Sequence, residues 1–283
     1  MRNIAIVTGA TSGVGREFVR QLDGLYYGKI DEMWAVARDA GELEELRRTT
    51  YAPVRPFALD LAEDASVRRL LAELEGAGDV QVGWLVNSAG TGWFGPTQAA
   101  PEGAVERMVR LNCLALTTLT SGALKYMAPG SRIVNVASAA AFLPVSGMAT
   151  YAATKRFVLD LTRALNGDLA GTGIHACAVC PKAMATRFWE GAGDGSLAQA
   201  FGTERVYDVV RKAISAVNRG QSYIVTSPDM KVLCALANAL PYCLTSTAVS
   251  LALQGARRDA SRAYERGRAA AQVAQTVPAG QTA

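Results

Sequence analysis

Short runs of consecutive apolar residues recur along the chain, separated by stretches whose apolar positions fall three or four apart. "NIAIVTG" (3–9) predicts a first strand and "GREFVRQLDGL" the helix behind it. "EMWAVAR" (32–38) and "VRPFALD" (54–60) predict the second and third strands, followed by the helical patterns "AGELEELRR" and "DASVRRLLAELE". "GWLVNSAG" (83–90) is a fourth strand, leading into a long helix around "PEGAVERMVRLNCLALTTLTSGALKYM". "SRIVNVAS" (131–138), "GIHACAVCP" (173–181) and "SYIVT" (222–226) predict strands five to seven, with a helix running to about residue 170 between the first two of them. Strands that are apolar without interruption, alternating with helix-length segments, describe a parallel sheet covered on both faces. The expectation is an α/β fold: one doubly wound domain over residues 1–228.

Beyond it the pattern changes. "VLCALANALPYCLTSTAVSLAL" (232–253) carries no charge and is formally long enough to span a bilayer. Pro241 interrupts it and Asn238, Thr245, Ser246, Thr247 and Ser250 dilute it. Two short helices broken at the proline fit better, packing over an active site or lying at a membrane surface. Residues 229–256 are therefore read as a hydrophobic extension serving as lid, assembly or membrane-surface element. Residues 257–283 are read as a charged helical or disordered tail.

Composition narrows the function classes. The 283 residues are 50% apolar and 19% charged, with a net charge of +4 and no long basic run, which gives nucleic-acid binding little support. The N-terminus is a short apolar run into a glycine turn rather than a signal peptide. Five cysteines (113, 177, 180, 234 and 243) in apolar surroundings read as reduced, buried thiols of a cytoplasmic protein. Cys177 and Cys180 form a C-x-x-C, but on a strand their side chains face opposite ways. The single histidine, His175, excludes multi-histidine zinc sites and leaves little room for a Ser-His-Asp triad, so no metal is expected. No G-x-S-x-G elbow is present.

Two motifs carry chemistry. "TGATSGVG" (8–15) closes the first strand and opens the first helix. Gly9 permits the tight turn, Gly13 lets backbone approach a pyrophosphate, and Gly15 lets helix pack on sheet. The helix N-terminus offers N–H groups and a positive dipole end to phosphates. In "TYAATKRF" (150–157), Tyr151 and Lys155 lie one helical turn apart and face the same volume. The lysine charge is expected to hold the phenol pKa down, making it a usable acid or base. A surface aromatic with a snorkelling lysine is the plainer alternative.

Taken together, these motifs resemble the short-chain dehydrogenase/reductase family. Its T-G-x-x-x-G-x-G matches Thr8, Gly9, Gly13 and Gly15. Its N-N-A-G appears as "NSAG", Asn87 to Gly90, and its helix-borne asparagine is Asn112. Its strand-ending serine is Ser138, and Y-x-x-x-K is Tyr151 and Lys155. Its P-G-x-x-x-T appears as "PKAMAT", with Lys182 where glycine is usual. The resemblance implies a catalytic set of Asn112, Ser138, Tyr151 and Lys155. Tyr151 would exchange a proton with the substrate oxygen, Ser138 would hold that oxygen, Lys155 would bond the nicotinamide ribose, and Asn112 would anchor a water relay. It further implies cofactor contacts at Gly9, Thr11, Ser12, Gly13, Val14, Gly15, Asp60, Leu61, Asn87, Ala89, Gly90, Tyr151, Lys155, Pro181, Met184 and Thr186.

Cofactor choice turns on "AVARDA". Arg38 after the second strand suits a 2′-phosphate and favours NADP(H), while Asp39 as a ribose-diol ligand for NAD(H) competes. Trp93, Phe94, Phe142, Leu143, Phe188 and Trp189 are placed around the nicotinamide, which favours a bulky apolar ketone or alcohol such as a hydroxysteroid or long-chain keto compound. A 3-oxoacyl carrier-protein reductase and a catalytically silent cofactor sensor are the alternatives. Lys182 and Arg187 could meet a carboxylate at the rim. A homodimer or homotetramer is expected, paired through apolar faces at Leu114, Leu116 and Leu119 and at Phe157, Val158 and Leu161.

Overall fold

The structure, a computed structural model, describes residues 1–143, 145–188 and 202–240 and positions 245, 247 and 251. Trp189, Pro241, Cys243, most of the extension beyond residue 240 and the whole 257–283 tail lie outside the described residues.

Seven strands form one parallel sheet: β1 (Arg2–Thr8), β2 (Glu32–Ala37), β3 (Val54–Ala58), β4 (Val80–Asn87), β5 (Arg132–Val136), β6 (His175–Cys180) and β7 (Tyr223–Val225). Their spatial order is β3-β2-β1-β4-β5-β6-β7, the doubly wound arrangement that reverses direction between β1 and β4. The helices are α1 (Gly13–Leu25), α2 (Ala40–Thr49), α3 (Asp64–Gly76), α4 (Ala104–Val109), α5 (Leu116–Ala123), α6 (Ala149–Asp168), α7 (Val206–Asn218) and α8 (Pro228–Ala239). A π-helical segment, Arg110–Ala115, joins α4 to α5.

The uninterrupted apolar strands are explained by burial on both faces. Ala5 and Val7 of β1 pack with Phe18, Val19 and Leu22 of α1 and Val209 and Val210 of α7. Ile4 and Ile6 point the other way, onto Trp34, Val36, Phe57 and Leu119. Cys177 and Cys180 likewise fall into clusters on opposite sides of the sheet, and neither is in a disulfide. A buried polar chain stitches the centre: Asn87 Nδ2 donates to Asn135 Oδ1 (2.8 Å) and Thr120 Oγ1 (3.0 Å). Asn135 Nδ2 in turn donates to Thr162 Oγ1 (2.9 Å), fixing β4 and β5 to α5 and α6.

A third cluster gathers Phe142, Leu143, Met148, Val158 and Leu159 with Met230 and Cys234 of α8. The boundary expected at residue 228 thus falls in the first turn of a helix that belongs to the core. Ser227 caps that helix, accepting from Met230 N (3.4 Å), and Pro228 suits its first turn. Among the described residues no helix is long and apolar enough to cross a membrane. The expected pairing faces also need correction: Leu116, Leu119 and Val158 are spent on the protein's own core. Leu114 (48% exposed) and Phe157 (44%) point outward.

Candidate active site

The carboxyl ends of β1, β2, β4, β5 and β6 surround one cleft of about 820 Å³. At its centre Thr8 ends β1 fully buried, and its Oγ1 accepts from Ser88 N and Ala89 N (3.0 Å each). That hydroxyl locks the loop after β4 to the glycine loop. Gly9 adopts φ +65°, and a Cβ there would sit 3.0 Å from Ala89 N. Gly13 adopts φ +48°, with Thr186 Cγ2 3.1 Å from where a Cβ would be. At Gly15 a Cβ would collide with the Gly9 carbonyl, so α1 can press against β1 only because this residue is glycine. Ser12, at the N-cap of α1, makes no side-chain capping bond, leaving first-turn N–H groups to the cleft. Bare backbone, a helix start and an elongated cleft suit the pyrophosphate of a dinucleotide.

Toward β2 the cleft is lined by Arg38, Asp39, Glu42, Asp60, Leu61 and Arg107. Arg38 is exposed and makes no hydrogen bond or ion pair among the described residues. Asp39, by contrast, caps α2 through a bond from Glu42 N to Oδ1 (2.9 Å). Asp60 accepts from Arg107 Nη2 (2.7 Å) and Ala62 N (3.0 Å). Burial pushes its carboxyl pKa up, but Arg107 and the amide outweigh that and hold it below the usual range.

At the β5 end Ser138 Oγ accepts from Ala140 N (3.2 Å), capping the short turn Ala139–Phe142. Its hydroxyl also lies at the Tyr151 phenol and acts to lower the phenol pKa. Lys155 Nζ donates to the Val136 carbonyl (2.8 Å) and lies 5.7 Å from the Tyr151 ring centroid. Both residues are buried and line the cleft. Burial raises the phenol to about 12, only partly offset by Ser138, and lowers the ammonium to about 8. The expected lowering of the tyrosine by its lysine is therefore corrected: desolvation dominates, and the phenol is held as an acid.

Asn112 sits in the π-helical segment, 1% exposed, behind the cleft wall. Its Oδ1 accepts from Thr91 N (3.0 Å), and its Nδ2 donates to Thr91 O (2.9 Å) and Thr154 Oγ1 (3.0 Å). Thr154 then donates to the Tyr151 carbonyl (2.8 Å). The side chain thus fixes the loop carrying Gly90 and Thr91, with both Nδ2 hydrogens committed. Gly90 is tightly enclosed, a Cβ there lying 3.3 Å from Asn112 Oδ1 and 3.4 Å from Lys155 Nζ.

Of the residues expected around the cleft, Gly9, Thr11, Ser12, Gly13, Val14, Ala89, Gly90, Pro181, Met184 and Thr186 line it with Arg38, Asp60, Leu61, Tyr151 and Lys155, whereas Gly15, packed against the Gly9 carbonyl, does not. Asn87 does not, because its amide is committed to Thr120 and Asn135 inside the sheet. Among the described members of the expected apolar set, Phe188 and Leu143 line the cleft, and the Phe188 ring meets Tyr151 at 5.5 Å. Phe94 and Phe142 are core residues, and Trp93 bonds Pro96 O (3.3 Å) away from the cleft. Lys182 is paired with Asp229 (3.1 Å) at the start of α8. Arg187 is paired with Glu42 (2.5 Å). Sequence reading missed Arg107, Glu42 and Thr154, since each acts through a partner remote in sequence or through a backbone bond.

With this geometry in view, comparison with known proteins is informative. A family profile described as short chain dehydrogenase matches residues 3–196. The probable oxidoreductase EphD of Mycobacterium tuberculosis is 27% identical over 276 aligned residues, covering 86% of this chain. The match takes in only 44% of that protein, so the chain spans less than half the length of this relative. A short-chain dehydrogenase from Sphingobium yanoikuyae, solved with NADPH, superposes with a TM-score of 0.67 at 27% identity, covering 100% of this chain and 99% of its own. A Burkholderia phymatum short chain dehydrogenase/reductase solved with NAD gives 0.70 at 25% identity, over 83% and 92%.

Proposed function

Because the chain belongs to the short-chain dehydrogenase family, we propose that it transfers hydride between NADP(H) and a secondary alcohol or ketone with a bulky apolar body. The observation that carries this reading is the buried Tyr151 phenol, bonded by Ser138 and flanked by Lys155 at one end of a dinucleotide-shaped cleft. The nicotinamide supplies or accepts the hydride at the substrate carbon. Everything else falls to this chain's own groups. The Ser138 hydroxyl, already held by Ala140 N, orients the substrate oxygen beside the phenol. Tyr151 gives its proton to that oxygen during reduction and recovers it during oxidation. Its raised pKa keeps it protonated at neutral pH, so it enters reduction as an acid. One Lys155 N–H is committed to Val136 O, leaving the others for the ribose hydroxyls.

The NADP(H) preference is supported by Arg38, exposed and uncommitted among the described residues, beside an Asp39 already used as a helix cap. The relatives solved with NADPH and with NAD leave room for both cofactors in the family. The apolar substrate preference is supported by Leu143, Val145, Met148, Phe188 and Met230 along the cleft near Tyr151. Assembly as a dimer is supported by the outward-facing Leu114 and Phe157, and surface association by Val232 and Leu236, one turn apart on the outer side of α8, with exposed Leu240 just past its end. The test is a panel of steroid, long-chain and small ketones assayed with each cofactor at 340 nm, expected to show NADPH oxidation fastest with the bulky apolar members. No oxidation with any ketone, or activity confined to small polar ones, would overturn the reading.

A further inference from the structure

The segment after β6 does something that strand order makes conspicuous. Residues 186 and 187 leave the sheet two places beyond β4, yet they touch the loop after β1 and the helix after β2. To do so they must cross the carboxyl ends of β5 and β4, and hence the cleft itself. Three contacts fasten the crossing. Thr186 lies against Gly13, its Cγ2 3.1 Å from the position a Cβ would take. Arg187 Nη2 donates to the Thr11 carbonyl (3.3 Å), and Arg187 Nη1 pairs with Glu42 (2.5 Å). That pair joins residues 145 positions apart. Glu42 also feels Arg16 and bonds Thr11, and these together with Arg187 hold its carboxyl below the usual range.

We propose that Arg187 and Glu42 form a clasp that fastens the 184–188 segment across the cleft and sets how fast the bound dinucleotide leaves. The inference rests on the dinucleotide reading of the cleft, but not on NADP preference. A ligand reaching from Arg38 to Lys155 passes beneath the crossing, so its release requires the clasp to open. The pair is half exposed at Arg187 (51%) and less so at Glu42 (30%), so its hold is modest and weakens with salt.

Two single substitutions separate a clasp from a direct phosphate contact. If the pair is a clasp, Glu42→Gln weakens it and speeds release of NADPH and of NADH alike, about fivefold, and Arg187→Gln, which also gives up the bond to the Thr11 carbonyl, speeds both at least as much. If Arg187 instead binds phosphate, Glu42→Gln removes a competing partner and slows release. Stopped-flow fluorescence of NADPH and NADH displaced from the full chain reads both rates. The reversed pair, Glu42→Arg with Arg187→Glu, should return release to within about twofold of the parent. Release unchanged or slowed by Glu42→Gln, or differing strongly between the two cofactors, would overturn the clasp. A parent protein that binds neither dinucleotide would overturn the cofactor reading itself, and the clasp with it.

Discussion

Lys155 is the residue whose removal should make the protein more stable. Its ammonium is buried, and burial lowers its pKa from 10.5 to about 8. At 1.36 kcal/mol per unit, the folded chain holds that charge at a cost of about 3 kcal/mol at pH 7. Lys155→Met fills similar space without charge but leaves the Val136 carbonyl without its donor, a loss of about 1 kcal/mol. The net expectation is a gain of about 2 kcal/mol at pH 7, with catalysis lost. The sign of the pH dependence follows from the depressed pKa. Between about pH 8 and 10.5 the unfolded lysine carries a proton that the folded one has released, so parent stability rises with pH in that window. By pH 9.5 the cost of the charge has fallen by about 2 kcal/mol and the advantage of the variant is gone. Staying below pH 10 keeps the Tyr151 phenol protonated in both proteins. Urea unfolding of parent and variant without cofactor at pH 7 and 9.5 measures both quantities. A variant less stable than the parent at pH 7, or a difference that does not shrink with pH, would refute the reasoning.

Arg38→Ala should weaken NADPH about 10- to 100-fold while changing NADH by less than about threefold, as calorimetry or fluorescence titration would read. Equal losses would transfer the role to Asp39. Met230→Ala, which removes a side chain that is 4% exposed and lines the cleft, should destabilise the fold by about 2–4 kcal/mol in urea unfolding. The same variant should raise KM for a bulky ketone and leave a small one unaffected. Leu114→Glu with Phe157→Glu should shift light scattering from dimer toward monomer, since both side chains point outward. An unchanged mass would place the interface elsewhere.

The strands were legible because burial on both faces leaves an unbroken apolar run, a local signal that needs no knowledge of partners. The glycine loop, Ser138, Tyr151 and Lys155 were legible for a related reason: close backbone approach and helical spacing constrain residues near in sequence. What sequence hid depends on distance. The Arg107–Asp60 pair spans 47 positions and Arg187–Glu42 spans 145, so neither leaves a local pattern. Asn87 is expected from its motif to meet the cofactor, but strand pairing sets it face to face with Asn135 inside the sheet. The phenol pKa was misjudged because helical spacing reveals a neighbouring charge, whereas the larger effect, burial, exists only after the cleft has closed around it. The uncharged run from residue 232 suggests an apolar extension packing on the domain, and the structure adds which residues do so, Met230 and Cys234.

The central claim is that Tyr151 gives the proton while hydride passes from a bound NADPH. Parent protein and Tyr151→Phe are each incubated with NADPH deuterated at the transferred position of C4 and a bulky apolar ketone, and the alcohol is analysed by mass spectrometry. The account predicts one deuterium in the alcohol formed by the parent. It predicts product formation at least about 100-fold slower in the variant, with NADPH affinity nearly unchanged. Unlabelled alcohol from the parent, or labelled alcohol from the variant at a rate within a few-fold of the parent, would contradict it.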